Sequence, residues 1–339
     1  MGRPALILAA LAADAASGKN FRHFRRNSAN PDLDILQLFD DAGDGFELIV
    51  PATTAGIAEQ AQLMAGLAAI GKAAPLLPFE VSQLVGKTTD GDLPVILLTM
   101  LSGEQPDLSK YAPGTFSKSL GEALAAIHQL DPAVVRDSGL PEYDSSAVLQ
   151  MKVAEIDAAA ATGKVPPALL SRWEEALEDV GLFRFHSTVI HGGVSQESIF
   201  VQNSFVSGFS AWSALSIADP AEDLRYLAGG ALPSTFEDAL LHYRANRPAA
   251  DENVAQRAVL YSEIELASWL THCVQLRDDS LIAEAEAMLQ DLADQLEAGS
   301  LRSLRAAGFV GLGAAAATTA PVSQLLEPIT NQTDSDELF

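Results

Sequence analysis

The spacing of apolar residues predicts a mixed helix and strand region at the start of the chain. A stretch of leucines and alanines at the N-terminus fits a short helix, and two alternating runs, 35–39 and 46–50, predict strands around a glycine-containing hairpin turn. Apolar residues at helical spacing then predict a helix over 54–70. Two further apolar runs, 75–87 and 93–101, predict strands. The order helix, strands, helix, strands therefore predicts a small α+β lobe.

The periodicity of the remaining chain is mainly helical. Phe116 to Leu130 carries apolar residues three and four positions apart, which predicts one helix. Residues 149–182 fit two further helices. Beyond the middle of the chain, residues 228–304 consist mostly of amphipathic pieces with the same period. We therefore predict a second lobe that is largely helical.

The last part of the chain has a different composition. Residues 314–339 contain no lysine or arginine, carry four acidic residues and are rich in alanine, threonine, serine and glutamine. A segment of this kind buries too little apolar surface to offset the entropy lost on ordering. We therefore predict three regions: an N-lobe over 1–101, a helical C-lobe over 102–305 and a disordered acidic tail over 306–339.

Composition limits the classes of function. The chain has 339 residues and a hydrophobic fraction of 48%, which suffices for a large core. Its formal net charge of −24 argues against nucleic-acid binding through a basic face and against attraction to anionic lipid. The single cysteine, Cys273, excludes an intrachain disulfide framework and is typical of a reducing compartment. We therefore expect a cytoplasmic protein with no nucleic-acid partner and no membrane partner.

The N-terminus has two interpretations. Arg3 and the short apolar run after it resemble a minimal signal peptide, but the positively charged part is thin and the same leucines fit a helix. We predict the helix. No run reaches the roughly 18 strongly apolar residues that a membrane span needs, and the glycine- and alanine-rich stretch 306–317 is too short and too weakly apolar.

Two short motifs lie close together in the middle of the chain. HGGVSQESIFV begins at His191 and DPAEDL begins at Asp219, with Gly208 and Trp212 between them. This combination resembles the catalytic segment of the aminoglycoside and macrolide phosphotransferases, which have a protein-kinase-like fold and read H-G-D-x-x-x-x-N, then G-x-x-D-W, then G-D-P-x-x-D-L. The resemblance implies a two-lobed α+β protein with a small β-rich N-lobe and a mainly helical C-lobe.

The resemblance also implies structural roles for the matching residues. His191 would organise the loop that it begins, and Trp212 would pack beneath the metal-binding loop. Asp219 and Asp223 would cap the following helix and anchor the fold, because a short acid at a helix start accepts hydrogen bonds from free backbone N–H groups.

The positions that carry the chemistry differ from the family pattern. Gly193 stands at the position of the catalytic base, Ser198 at that of a metal-binding asparagine and Ala211 at that of a metal-binding aspartate. Phosphoryl transfer needs a residue that orients the attacking hydroxyl, and it needs Mg²⁺ held by oxygen ligands. Glycine and alanine supply neither, and a serine hydroxyl is a short substitute for an amide. Glu197 is the candidate replacement for the base because it lies on the same loop.

The N-lobe departs from the family pattern in the same way. Family members carry a basic residue before a Val-Pro pair, where it contacts nucleotide phosphates, and an acid on the following helix orients it. Here Ile49 stands before the Val-Pro pair. The matching helix position is Leu63, with Glu59 one turn earlier. The phosphate-contacting ion pair is therefore absent from the predicted positions.

The predicted hinge between the lobes follows the last strand of the N-lobe. Thr99, Met100 and Leu101 would line an adenine site if a nucleotide binds. The sequence contains neither a G-x-G-x-x-G loop nor a Walker loop. We therefore expect ATP and Mg²⁺ as cofactors only if the chain is active.

Three hypotheses about function remain open at this point. The leading one is a pseudophosphotransferase, a kinase-like binding or regulatory module with weak nucleotide binding at most and with an unidentified protein or small molecule as its partner. The first alternative is an active ATP-dependent phosphotransferase acting on an alcohol group of a small molecule, with relocated catalytic residues. The second is a small-molecule binding protein that uses an acidic cleft.

Overall fold

The computed structural model describes residues 3–16, 18–27, 30–306 and 335–337. Within these residues the chain forms two compact units. The first unit consists of residues 3–106, 197–214 and 335–337. The second unit consists of residues 107–196 and 215–306. The segment 197–214 therefore groups with the N-terminal part of the chain.

The first unit is built mainly from strands. Its two α-helices are α1 (Ala5–Ala15) and α2 (Thr54–Ala73). Its strands are β1 (Phe21–Asn27), β2 (Leu33–Asp40), β3 (Gly45–Pro51), β4 (Glu80–Val81), β5 (Leu84–Asp90), β6 (Leu93–Thr99), β8 (Ile199–Gln202), β9 (Phe205–Phe209) and β11 (Ser335–Glu337). Short 3-10 helices lie at Ala74–Leu76 and Trp212–Ala214.

Six antiparallel strands form the main sheet of this unit, in the order β11, β1, β2, β3, β6, β5. β2 and β3 form the predicted hairpin, with Leu36 opposite Leu48. The helix α1 packs on this sheet, and its residues Leu8 and Ala12 are fully buried in one core cluster with Leu36 and Leu48. The prediction of an N-terminal helix is therefore confirmed, and the helix contributes to the core.

The helix α2 begins at a capped turn and approaches another backbone closely. The Thr53 hydroxyl accepts a hydrogen bond from the Gly56 N–H at 3.1 Å, which satisfies one free donor of the first turn. Farther along, a Cβ placed on Gly66 would lie 1.8 Å from the carbonyl oxygen of Trp212. Only glycine therefore allows α2 to contact the 3-10 helix that begins at Trp212.

The predicted strand over 75–87 is broken into three pieces. A 3-10 helix ends at Leu76, and the strands β4 and β5 follow separately. Pro75 and Pro78 lack the backbone N–H that a continuous strand would donate, which explains the break. β4 pairs in parallel with β9, with Glu80 opposite Gly208, and so belongs to a second sheet of three strands, β4, β9 and β8.

The second unit is mainly helical, as predicted. Its helices are α3 (Thr115–His128), α4 (Ala133–Arg136), α5 (Ser145–Ala160), α6 (Pro167–Glu178), α7 (Ala221–Gly230), α8 (Pro233–Asn246), α9 (Val254–Leu276) and α10 (Asp279–Glu297). Two short antiparallel strands, β7 (Thr188–Ile190) and β10 (Ser216–Ala218), pair beside them. α3 packs on α8 at Gly121, where a Cβ would lie 2.3 Å from the carbonyl oxygen of Ala239.

The prediction of an α+β chain is confirmed by these two units. Within the segment that was predicted to be a disordered tail, β11 pairs with β1 and places Glu337 opposite His23. An edge strand offers unpaired N–H and C=O groups, so even an acidic segment can gain backbone hydrogen bonds there. The rest of the predicted tail beyond Ala306 lies outside the described residues. Among the helices that the structure describes, none has the length and apolar character to cross a membrane.

Candidate functional site

A buried aspartate shapes the loop that follows β7 in the second unit. Asp223 lies in the first turn of α7 and is fully buried. Its carboxylate accepts hydrogen bonds from the backbone N–H groups of His191 and Gly192, both at 2.7 Å. Gly192 has φ 79°, a left-handed conformation in which glycine avoids a steric penalty. These charge-assisted bonds hold the first turn of the loop.

A buried histidine at the end of α3 supports this carboxylate. His128 Nε2 lies 3.0 Å from Asp223 Oδ2, and Nδ1 lies 2.8 Å from the Tyr243 hydroxyl oxygen. Arg247 Nη1 donates to the same hydroxyl oxygen at 3.0 Å, so the Tyr243 O–H is directed at Nδ1. The proton of the neutral imidazole is thereby assigned to Nε2, which donates it to Asp223.

The pKa values of this pair agree with a neutral histidine beside an ionised aspartate. Burial lowers the pKa of His128, and the opposing effect of Asp223 is smaller. Burial on its own raises the pKa of Asp223, but the hydrogen bond from His128 and the backbone N–H of Gly192 together hold it below its usual value. The carboxylate is therefore available as an acceptor for all three of its donors.

The imidazole of His191 lies inside the loop. The side chain is fully buried, and its Nδ1 accepts a hydrogen bond from the Gly193 N–H at 3.2 Å. Gly193 has no side chain, so its position offers no proton acceptor beyond the backbone. The loop at 191–193 is therefore held by His191 and Asp223 and carries no carboxylate of its own.

Asp219 joins the start of α7 to α9 within the same unit. Its Oδ1 accepts a hydrogen bond from the Ala221 N–H at 2.9 Å, as a helix cap does. The buried Arg257 of α9 donates to both carboxylate oxygens, at 2.6 and 2.9 Å, and the Tyr261 hydroxyl donates at 2.7 Å. Arg257 also pairs with Asp251 at 2.8 Å. Asp219 is thus fully occupied by structural partners.

The segment 197–214 of the first unit carries the other two candidate positions. Ser198 is buried, and its carbonyl oxygen accepts a hydrogen bond from the Ser210 N–H at 2.9 Å. Ala211 has φ 58°, a left-handed conformation that aspartate and asparagine adopt more readily than alanine. The next residue, Trp212, is fully buried, and its indole N–H donates to the Phe209 carbonyl oxygen at 2.9 Å.

Glu197 lies at the start of the same segment. Its side chain is exposed, and its carbonyl oxygen accepts a hydrogen bond from Gln105 Nε2 at 2.8 Å. Within the described residues there is no group of three or more histidine, cysteine, aspartate or glutamate side chains that could hold a metal ion.

The backbone at Ile49 is bonded by an amide from α2. Ile49 is buried, and its carbonyl oxygen accepts a hydrogen bond from Gln60 Nε2 at 2.9 Å. Leu63 is buried in α2 without a polar group, and Glu59 accepts a hydrogen bond from Asn30 Nδ2 at 3.0 Å. The polar residue of α2 that reaches β3 is therefore Gln60. The sequence prediction placed Leu63 there, because helical spacing alone does not give the rotation of α2 relative to β3.

A partly buried glutamate lies two positions before Ile49. Glu47 and Ile49 share one face of β3, because side chains alternate along a strand. Burial raises the pKa of Glu47, and a hydrogen bond from Gln37 Nε2 at 3.0 Å counteracts this only in part. Glu47 is the only carboxyl group on this face of β3, and its raised pKa favours the neutral form.

The predicted hinge lies at the end of β6. The Thr99 N–H donates to the Gln83 carbonyl oxygen and the Met100 N–H donates to the Gly45 carbonyl oxygen, both at 2.9 Å. Leu101 is buried. Two of the three backbone donors at these positions are therefore bonded within the first unit.

Comparisons with solved structures support a phosphotransferase-like fold. Macrolide 2′-phosphotransferase MphH from Brachybacterium faecium matches with a TM-score of 0.69 and 20% identity, over 84% of this chain and 97% of that protein. A macrolide 2′-phosphotransferase type I matches with a TM-score of 0.69 and 22% identity, over 84% and 96%. Wild-type aminoglycoside 2′-phosphotransferase-IIIa in its GDP complex matches with a TM-score of 0.68 and 16% identity, over 85% and 98%.

The comparison with protein families shows to which family the chain belongs. No curated protein matches the sequence. A model of the phosphotransferase enzyme family matches residues 39–260, well over half of the chain. The chain therefore has the predicted kinase-like fold and belongs to the phosphotransferase enzyme family.

Proposed function

We propose that this chain is a pseudophosphotransferase, a binding or regulatory module that does not transfer phosphoryl groups. One contrast carries the proposal. The side chains that build the loop after β7, such as His191 and Asp223, are present and accept hydrogen bonds within the loop. Gly193, Ser198 and Ala211, at the positions where the family carries its base and metal ligands, contain no carboxylate.

The chemistry that these positions lack would contribute substantially to the rate of phosphoryl transfer. A positioned general base contributes about 10²–10⁴-fold, and Gly193 has no group that could act as one. Mg²⁺ prefers carboxylate and phosphate oxygens in octahedral geometry. Ala211 offers a methyl group, and Ser198 offers one neutral oxygen in a side chain that is only 1% exposed. These residues do not fit a Mg²⁺ ion.

The residues on the Ile49 face of β3 also argue against strong nucleotide binding. A cation at this position would attract nucleotide phosphates, but Ile49 is apolar and its carbonyl oxygen is taken by the neutral Gln60. Glu47 on the same face does not promote phosphate binding, since a neutral carboxyl attracts phosphate weakly and an ionised one repels it. Any nucleotide binding should therefore be weak and independent of Mg²⁺.

The rival function is an active phosphotransferase with a relocated base. Glu197 favours it, because its exposed carboxylate lies within the motif that begins at His191. That reading requires a metal ligand that the three positions do not supply. It also requires Glu197 to contact the substrate hydroxyl.

Thermal denaturation with ATP, with and without Mg²⁺, separates the two functions. A ligand at 100 times its Kd stabilises a protein by about 2.7 kcal/mol. The pseudophosphotransferase should show no Mg²⁺-dependent increase in Tm and no phosphate release. An active enzyme should show both, and Glu197→Gln should abolish the turnover while Glu174→Gln, which changes another exposed glutamate, should leave it intact. That outcome would refute the proposal.

Restoring the family residues tests the assignment of the three positions. The triple variant Gly193→Asp, Ser198→Asn and Ala211→Asp should gain a Mg²⁺-dependent increase in Tm with ATP, because it adds two carboxylates and one amide. The single variant Gly193→Asp is the matched control, since it adds the base without the metal ligands and should gain none. A triple variant that folds but gains no such increase would contradict the assignment.

A further inference from the structure

A pocket of about 620 Å³ opens in the helical unit, at the junction of α8 and α9. Its walls come from α8, the connection to α9, the start of α9 and the segment after α10. The titratable residues that line it are Glu237, Arg244, Arg247, Asp251, Glu252 and Arg302. Three of the few basic residues of a strongly acidic chain therefore face one cavity.

Two of the acids in this pocket are already neutralised. Asp251 accepts hydrogen bonds from Arg257 on both carboxylate oxygens, at 2.8 and 2.9 Å. Glu237 forms an ion pair with Arg302. The third acid, Glu252, is exposed. Three charged residues of the pocket therefore have no such ion pair: Arg244, Arg247 and Glu252.

Arg244 and Arg247 are the arginines without an acidic partner. Arg244 donates to the Glu252 carbonyl oxygen at 3.2 Å, and Arg247 donates to the Tyr243 hydroxyl oxygen at 3.0 Å. Across the residues that the structure describes, neither guanidinium forms an ion pair with a carboxylate. Arg247 is also buried, with 7% of its surface exposed. A buried cation without a counter-ion is costly, and a bound anion would remove that cost.

Gln256, which lines the pocket, carries a buried acceptor without a donor. The Gln256 Oε1 atom is shielded from solvent and has no hydrogen-bond partner in the described part of the chain. Leaving a buried polar atom unpaired is unfavourable, and such atoms are rare in native proteins. A rotation of the Gln256 amide into the pocket would let an O–H or N–H group of a ligand donate a hydrogen bond to this atom.

We propose that this pocket is a binding site for a small anion, a carboxylate or phosphate that carries a neighbouring hydroxyl or amino group. The anionic group is bound by Arg247 and Arg244, whose planar guanidinium groups suit carboxylate and phosphate oxygens. The neighbouring O–H or N–H donates to Gln256 Oε1. Neither the catalytic motifs nor the nucleotide positions take part, so the site does not depend on the proposed function.

A continuous chain of hydrogen bonds connects this pocket to the loop after β7. Arg247 bonds Tyr243, Tyr243 bonds His128, His128 bonds Asp223, and Asp223 bonds the Gly192 N–H. An anion on Arg247 competes for the guanidinium that polarises this chain of hydrogen bonds. Binding should therefore change the environment of the Gly192 amide, although Gly192 does not line the pocket.

Calorimetric titration with inorganic phosphate and with glycerol 3-phosphate tests the site, with chloride at matched ionic strength as the reference. Glycerol 3-phosphate should bind more tightly, because its hydroxyl can reach Gln256. Arg247→Gln should weaken both probes by roughly tenfold to a hundredfold. Gln256→Leu should remove the advantage of glycerol 3-phosphate over phosphate. Arg184→Gln, which changes an exposed arginine outside the pocket, should leave both affinities unchanged.

Two further measurements keep the proposal testable if the Arg247→Gln variant does not fold. Arg244 is exposed, so Arg244→Gln should fold normally and still weaken both probes. In NMR spectra, glycerol 3-phosphate should shift the Gly192 amide of the wild type, and Tyr243→Phe should bind the probe with a smaller shift. The proposal would be overturned if neither probe binds the wild type, or if both arginine variants bind the probes with wild-type affinity. None of these readouts involves ATP or Mg²⁺, so they are independent of the pseudophosphotransferase hypothesis.

Discussion

Replacing Asp223 by asparagine should destabilise the protein strongly, because one amide oxygen cannot accept what two carboxylate oxygens accept. The donors are the backbone N–H groups of His191 and Gly192 and the Nε2–H of His128, at 2.7, 2.7 and 3.0 Å. The asparagine NH₂ group would face at least one of these donors and leave it buried without a partner. Each buried unpaired donor costs about 1–3 kcal/mol, so we expect a loss of about 2–5 kcal/mol. That is a large part of a typical stability of about 5–15 kcal/mol.

Guanidinium unfolding followed by tryptophan fluorescence at pH 7 measures this loss. Asp157→Asn is the matched control, because Asp157 is exposed on α5 and the same chemical change there should stay within about 0.5 kcal/mol of the wild type. The slope of the unfolding free energy against denaturant should be similar in all three proteins, since the buried surface is the same.

The pH dependence provides a second and independent check. Because the pKa of Asp223 is held below its usual value, the stability that it contributes is present above the ordinary aspartate pKa and is lost as the pH falls through the folded-state pKa. The difference between the wild type and Asp223→Asn should therefore shrink on acidification below about pH 4. An Asp223→Asn variant as stable as Asp157→Asn at pH 7, or a difference that does not change with pH, would refute the reasoning.

The remaining predictions concern the first unit. Ala211→Gly should raise the unfolding free energy by about 1 kcal/mol, because φ 58° penalises any side chain, whereas Ala214→Gly should lower it; chemical denaturation would show the opposite signs. Gly66→Ala should cost at least about 2 kcal/mol, since its Cβ would lie 1.8 Å from a carbonyl oxygen, while Gly71→Ala on the same helix meets no atom and should gain about 0.5–1 kcal/mol. Equal effects of the two glycine changes would contradict the close approach. Glu47→Gln should stabilise the protein at neutral pH and lose this advantage near pH 4; because the pKa of Glu47 is raised, its favourable contribution is complete at low pH and is lost as the pH rises through the folded-state pKa. Melting temperatures across this range would test it.

Local periodicity predicted the elements of the fold well. The hairpin of β2 and β3 and the helix α2 occur where alternation and helical spacing placed them. The N-terminal helix was also predicted, but its position on the sheet was not, because nothing in a run of leucines and alanines identifies the partner surface. The break between β4 and β5 shows the limit of an apolar pattern, since Pro75 and Pro78 interrupted a run that otherwise fits one strand.

The candidate site was less predictable because its side chains are held by distant partners. Asp223 is 95 residues from His128 and 32 from His191 in the sequence, so no local motif reveals these contacts. The same holds for Gln60, whose bond to the Ile49 backbone depends on the rotation of α2 about its axis. Sequence motifs fix the identity of the loop residues, and only the packing of the helices fixes which polar groups meet them.

The two sets of residues in the segment 191–224 differ in what their loss would cost. Asp223 and its partner His128 are fully buried, so removing either leaves charged or polar groups unpaired in the interior and threatens the fold. Gly193 has no side chain that could make such a contact, whereas Ala211 holds a left-handed backbone conformation that aspartate adopts more readily. A carboxylate at 193 would therefore bear on chemistry, and an aspartate at 211 would in addition ease the backbone conformation. Glycine at 193 leaves no buried group unpaired, whereas loss of the Asp223 carboxylate would leave buried backbone N–H groups without an acceptor. The HG and DPxxDL motifs are thus evidence about the fold, and under the proposed function positions 193, 198 and 211 are the ones that bear on activity.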